Sequence, residues 1–157
     1  MAKEPIIYQE QQRTYLIVVA VFILVAILLL VIVLFPGLLS LRPFSAPAKI
    51  VLLLVATVDM ILFWSFSKLT IKLTDQHLTL TFGFFKKKIS LTEIKNCQIE
   101  DYQKSIYFGY GIRLGSDKSI GYIARAGRGI KLKLKAKDYF FSTDRPEQLL
   151  LLLNHRP

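Results

Sequence analysis

Three aromatic rings, Phe82, Phe84 and Phe85, stand directly before three lysines, Lys86, Lys87 and Lys88, in the stretch FGFFKKKISL. Held at the height of lipid headgroups, such a run is an interfacial anchor: rings suit the boundary between water and hydrocarbon, and each basic residue near an anionic leaflet gains about 1 kcal/mol. The bland alternative is a solvated hairpin end. A second concentration of charge lies downstream, where Lys131, Lys133, Lys135 and Lys137 alternate with Leu132, Leu134 and Ala136. On a strand these four amines share one face at intervals of about 6.6 Å, and Arg125 and Arg128 extend the row upstream. Such a row is either the wet face of an edge strand, where lysine blocks edge-to-edge pairing, or a contact for an acidic protein or lipid surface. Nucleic acid fits poorly, since no recognised nucleic-acid module accompanies the charge.

No other group of residues carries chemistry. His77 and His155 have no Cys, Asp or Glu at metal-ligand spacing, and no Ser or Cys stands in a nucleophile motif. The glycines of YFGYGIRLG and ARAGRGI lack a following helix whose N-terminus could hold an anion, so they read as turns and bulges. The single cysteine, Cys97, excludes an internal disulfide framework. A non-enzymatic protein without metal, cofactor or small-molecule substrate is expected.

Hydropathy shows what must position these residues. The chain has 157 residues, 53% of them hydrophobic, and a mean hydropathy of +0.44, high for a soluble domain. The excess is local. Residues 15–35, YLIVVAVFILVAILLLVIVLF, carry no charge, and at 1.5 Å per residue they cross the roughly 30 Å hydrocarbon core. The run is longer than the apolar core of a signal peptide, Glu4 and Glu10 offset Lys3 and Arg13 before it, and no A-x-A cut site follows. Residues 50–66, IVLLLVATVDMILFWSF, form a second run with one acid, and the prolines and glycine between the two runs predict a tight turn. Helices over about 15–36 and 48–66 therefore form a transmembrane hairpin (15–66), preceded by a short segment (1–14). From residue 67 onward, 17 Lys and Arg face 8 Asp and Glu, which is most of the formal net charge of +10. Basic flanks stay in the cytoplasm, so the chain is expected to cross a membrane twice, with both termini cytoplasmic.

After the hairpin the period changes to two. Leu69, Ile71 and Leu73 alternate with Thr70, Lys72 and Thr74, and Leu78, Leu80, Phe82 and Phe84 share a face beyond a turn at residues 75–77. Antiparallel pairing across that turn returns Phe84, Phe85 and Lys86 to the level of Lys68, which places Lys68, Phe84, Phe85 and Lys86–Lys88 at headgroup height. Further strands are predicted over residues 88–91, 97–102, 106–114, 119–124, 130–137 and 139–142. The chain closes with a helix over about 145–155, with Asp144 as N-cap, Pro146 in the first turn and Glu147 completing a capping box. The fold class is α+β: a two-helix transmembrane hairpin, then a small antiparallel barrel or sandwich (67–157) with a C-terminal helix.

LTIKLTDQHLTLTFG leading into ISLTEIKN, then GYGIR, GRGIKLKL and STDRPEQLLLLL, together resemble the membrane-anchored bacterial pleckstrin-homology-like (PH-like) domain proteins. The resemblance implies a seven-stranded barrel with a C-terminal helix, a place in a bacterial inner membrane and no enzyme activity. The phosphoinositide-binding loop of eukaryotic relatives lies between their first two strands, where this chain has only Asp75, Gln76 and His77, so that activity does not carry over.

Two features point to a partner. Asp59 lies near the middle of the second apolar run, where an ionised carboxylate costs at least about 2.5 to 3.5 kcal/mol. It is therefore neutral and bonded to a local carbonyl or Thr57, or it meets a polar or basic residue of another subunit. Residues 149–153 are five leucines that go round the whole helix, so those not facing the barrel, Leu150 and Leu153 among them, are expected to meet a partner or the bilayer. With Arg125, Arg128, Lys131, Lys133 and Lys135 they make up the expected partner-binding set. The resulting function is a membrane-anchored scaffold or assembly subunit that binds an integral-membrane protein or a second copy of itself; the alternative is a module that senses anionic membrane lipids.

Overall fold

The computed structural model describes residues 5–35 and 44–155. By contact the chain divides into two units: the residues up to Tyr15 together with those from Phe66 onward, and Leu16–Ser65.

The second unit consists of two helices, α1 (Leu16–Leu34) and α2 (Ala46–Phe66), both long and apolar enough to cross a membrane. Most of the proline-rich connector expected between them lies outside the described residues, and α2 begins early enough to take in Pro47 and Lys49.

Among its described residues the other unit holds nine strands in two sheets. Its first sheet is a meander of β1 (Ile6–Arg13), β2 (Lys68–Thr74), β3 (His77–Phe82) and β4 (Phe85–Ser90). β1 is a finding that hydropathy does not signal. Its register sets Arg13 against Lys68 and Gln9 against Lys72, so the residues before α1 and those after α2 are neighbours in one ladder. β2 and β3 follow the alternation: Leu69, Ile71, Leu78, Leu80 and Phe82 are fully buried, and the intervening Thr and Lys side chains stand on the opposite face, where Thr79 is covered by its neighbours.

The second sheet has the order β5 (Ile94–Asp101), β8 (Arg128–Leu134), β9 (Tyr139–Ser142), β7 (Ile120–Ile123), β6 (Gly111–Leu114). All its pairings are antiparallel except β7 with β9, which run parallel over a short stretch. Among the described residues eight strands follow the hairpin, the number that the alternation predicts, where the resemblance implies seven. One placement is corrected, because the predicted strand over 106–114 begins in a helix. Residues Lys104–Tyr107 form the single-turn helix α3, Phe108 ends it with φ 49°, and Gly109 and Gly111 take φ of 132° and 89°, so regular extended pairing starts only at Gly111.

One apolar core joins both sheets and the terminal helix α4 (Pro146–Asn154), which packs against β5 and β8. The capping box is not formed: Arg145 holds the N-cap position without a side-chain bond, and Pro146 opens the helix as expected. Asp144 is engaged with Gln12 and Arg125 instead.

Candidate functional site

The pleat divides the aromatic and lysine run between two faces. Phe82 is in the core, Gly83 takes φ 48° in the turn, Phe84 is 69% exposed, and Phe85 stacks on Phe66 with ring centroids 5.5 Å apart. Lys87 turns inward, its Nζ lying 5.5 Å from the centre of the Tyr139 ring in a cation–π contact. Lys86 and Lys88, opposite Thr81 and Thr79, stand on the outward face. Lys68, Thr70 and Lys72 of β2 share that face, and Gln9, Gln11 and Arg13 of β1 lie beside them. The lysines border a hollow of about 480 Å³ floored by threonines and lined by no Asp or Glu among the described residues. Of the sequence-derived headgroup set, Lys68, Lys86 and Lys88 thus share one face with Lys72, Arg13 of β1 lies beside them, and Lys87 stands on the other face.

The register puts the turn at Gly83 and Phe84 level with the start of β2, where both helices join the sheet. Two columns of rings meet this end. Tyr15 stacks on Tyr110 at 5.3 Å, Tyr110 on Tyr102 at 6.0 Å, Tyr102 on Tyr107 at 6.3 Å and Tyr107 on Phe140 at 5.3 Å. Phe66 packs against Phe82 and Phe85, and Phe82 on Tyr122 at 6.3 Å. The backbone is tied there as well: Thr14 N donates to Ser67 O at 3.0 Å, and Tyr15 N donates to Ala124 O at 2.8 Å. Each chain end entering the hairpin is thus fixed in the domain's aromatic core.

β1 places Tyr8 in the apolar core and is otherwise held by polar contacts. Gln12, 2% exposed, donates from Nε2 to Asp144 Oδ1 at 2.6 Å and accepts from Ser142 Oγ at 2.5 Å. Glu10 accepts from Tyr8 Oη, Thr143 Oγ1 and the Asp144 amide at 2.5, 2.6 and 2.7 Å. Burial, reinforced by that carboxylate, pushes the Tyr8 hydroxyl well above its ordinary value.

The other expected cations are largely spent inside the domain. β8 lies between β5 and β9, so the edge-strand reading is corrected, and the strand ends at Leu134, leaving Lys135 and Lys137 beyond it. Arg125 pairs with Asp144, Arg128 with Glu147 at 2.5 Å, and Lys131 with Asp117 at 3.0 Å and Glu100 at 3.6 Å. Burial works against the Asp117 charge, but bonds from Ser119 and Lys131 outweigh it and hold the carboxyl below its usual value. Lys133 and Lys135 are exposed, and Lys135 and Lys137 share their hollow with Asp117 and Asp138. The leucine reading of α4 also changes: Leu149 and Leu153 are 0% and 1% exposed, Leu150 and Leu152 pack against the core, and Leu151 alone of the five is exposed. Leu153 therefore has no surface to offer a partner.

Within the helical unit, half-buried positions recur at Phe22, Ala26 and Leu29 of α1 and at Leu52, Ala56, Asp59 and Phe63 of α2, the three-and-four spacing of a helix seam. Phe22 and Phe63 meet across it at 6.0 Å. Asp59 shares this half-buried stripe of α2, and α1 contains no polar side chain. Thr57 donates to Leu53 O at 2.9 Å, and among the described residues Asp59 has no hydrogen bond or ion pair.

No protein-family model matches the chain, and no curated protein or solved structure matches it either.

Proposed function

We propose that this protein is a non-enzymatic, membrane-anchored assembly subunit of PH-like plan, whose hairpin crosses a bacterial inner membrane and docks an integral-membrane partner through Asp59. The observation that carries this is the unsatisfied Asp59 carboxyl on a stripe otherwise made of Leu, Ala and Phe. A polar group in hydrocarbon is costly unless bonded, and intramembrane acids mark contacts or pathways. Neither α1 nor Thr57 answers it, so the complement comes from a donor or cation on another transmembrane helix.

Native gel electrophoresis of gently solubilised membranes tests this with Asp59→Leu. The variant is expected to insert as well as the wild type but to lose the larger species by about tenfold or more, a change of about 1.4 kcal/mol. An unchanged larger species would refute docking through Asp59.

A further inference from the structure

We infer that the outward face of the four-stranded sheet binds the phosphate headgroup of an anionic lipid, an inference that rests on the hairpin spanning a bilayer. β3 runs down the middle of this face and presents Thr79 and Thr81; β2 presents Lys68 and Lys72 on one side, and β4 presents Lys86 and Lys88 on the other. Strands lie about 4.8 Å apart, so the two lysine rows stand about 10 Å from each other across β3. Their flexible stems can close from both sides on one anion over the threonine hydroxyls. The hollow between them, about 480 Å³, accommodates a headgroup.

The chemistry selects phosphate. Lysine ammonium groups donate only and threonine hydroxyls can donate, which suits a group whose oxygens only accept. Among the described residues no carboxylate lines the hollow, and Lys68, Lys72 and Lys86 have no ion pair, in contrast to Arg125, Arg128 and Lys131. The positive field here is therefore left for an external anion. A second copy of the chain, with a formal net charge of +10, is a poor complement. A protein partner would want an apolar centre to its interface, and Ile6 is the one large apolar residue of the lining. Lipid is the source closest to hand, because Lys68 follows the last residue of α2 with only Ser67 between, and tethering raises the effective concentration of headgroups.

Amine footprinting of the full chain in nanodiscs, read residue by residue by mass spectrometry, tests the site without altering it. In discs containing phosphatidylglycerol, labelling of Lys68, Lys72, Lys86 and Lys88 should be about threefold or more slower than in phosphatidylcholine discs, with Lys133 and Lys135 unchanged. Equal rates in both discs would overturn the proposal. So would protection in phosphatidylcholine discs on adding inorganic phosphate alone, which would assign the site to a soluble anion. A chain that does not co-elute with discs at all contradicts the hairpin reading and removes the lipid source with it.

Discussion

Lys131 shows how a residue that looks available in sequence is already committed in the fold. Its ammonium lies between Asp117 and Glu100, and Asp117 in turn accepts from the Ser119 amide at 3.0 Å and hydroxyl at 2.6 Å. Asp117→Ala removes the acceptor for three donors and should destabilise the domain by about 1 to 3 kcal/mol, measured by urea unfolding followed through tyrosine near-ultraviolet circular dichroism. The pH dependence has a definite sign. A carboxyl held below its usual value when folded contributes its stability above the unfolded value of about 3.9 and loses it as pH falls through the lower folded value. The gap between wild type and Asp117→Asn should therefore be constant from neutral pH down to about 5 and shrink below about 4; a gap that grows on acidification would contradict the assignment. The acids that neutralise Arg125, Arg128 and Lys131 come from β5, α4, the turn before β7 and the segment before α4, so no local spacing could reveal them. The split of Lys86, Lys87 and Lys88 between two faces, by contrast, follows from a period of two once the register is known.

At the scale of elements, legibility follows apolar patterning. β2, β3, β9 and the two long helices stand within a few residues of where alternation or unbroken apolar runs place them. β1 escaped because its inward face is Tyr8, Glu10 and Gln12, polar groups satisfied by Ser142, Thr143 and Asp144, and a hydropathy pattern cannot see a hydrogen-bonded face. The glycine-rich segment after α3 escaped because positive-φ positions interrupt an otherwise strand-like composition. In α4 five successive leucines gave no face at all, and only packing against β5 and β8 separates them. Leu153→Ser should cost at least about 2 to 5 kcal/mol, as core leucine truncations do, whereas Leu151→Ser should stay within about 0.5 kcal/mol. Equal effects in a thermal unfolding series would mean that the helix is docked through another face.

At the scale of the molecule, the domain is discontinuous in sequence. Gln12 and Asp144 are bonded although 132 residues apart, and β1 pairs with β2 across the entire hairpin. Its closure has to wait for β9 and the following turn to be made, and non-local pairing of this kind is slow. It also imposes a topological rule: strands that pair must lie on the same side of a membrane, so α1 and α2 either both cross or neither does. Anchoring, the docking role of Asp59 and the lipid site all depend on the first alternative. Its direct test is a single cysteine at Ser45, just ahead of α2, in a Cys97→Ser background, exposed to an impermeant thiol reagent on intact cells. Labelling from outside, with a cysteine at Gln9 or Lys133 labelled only after lysis, is the expected result; labelling of Ser45→Cys only after lysis would contradict it.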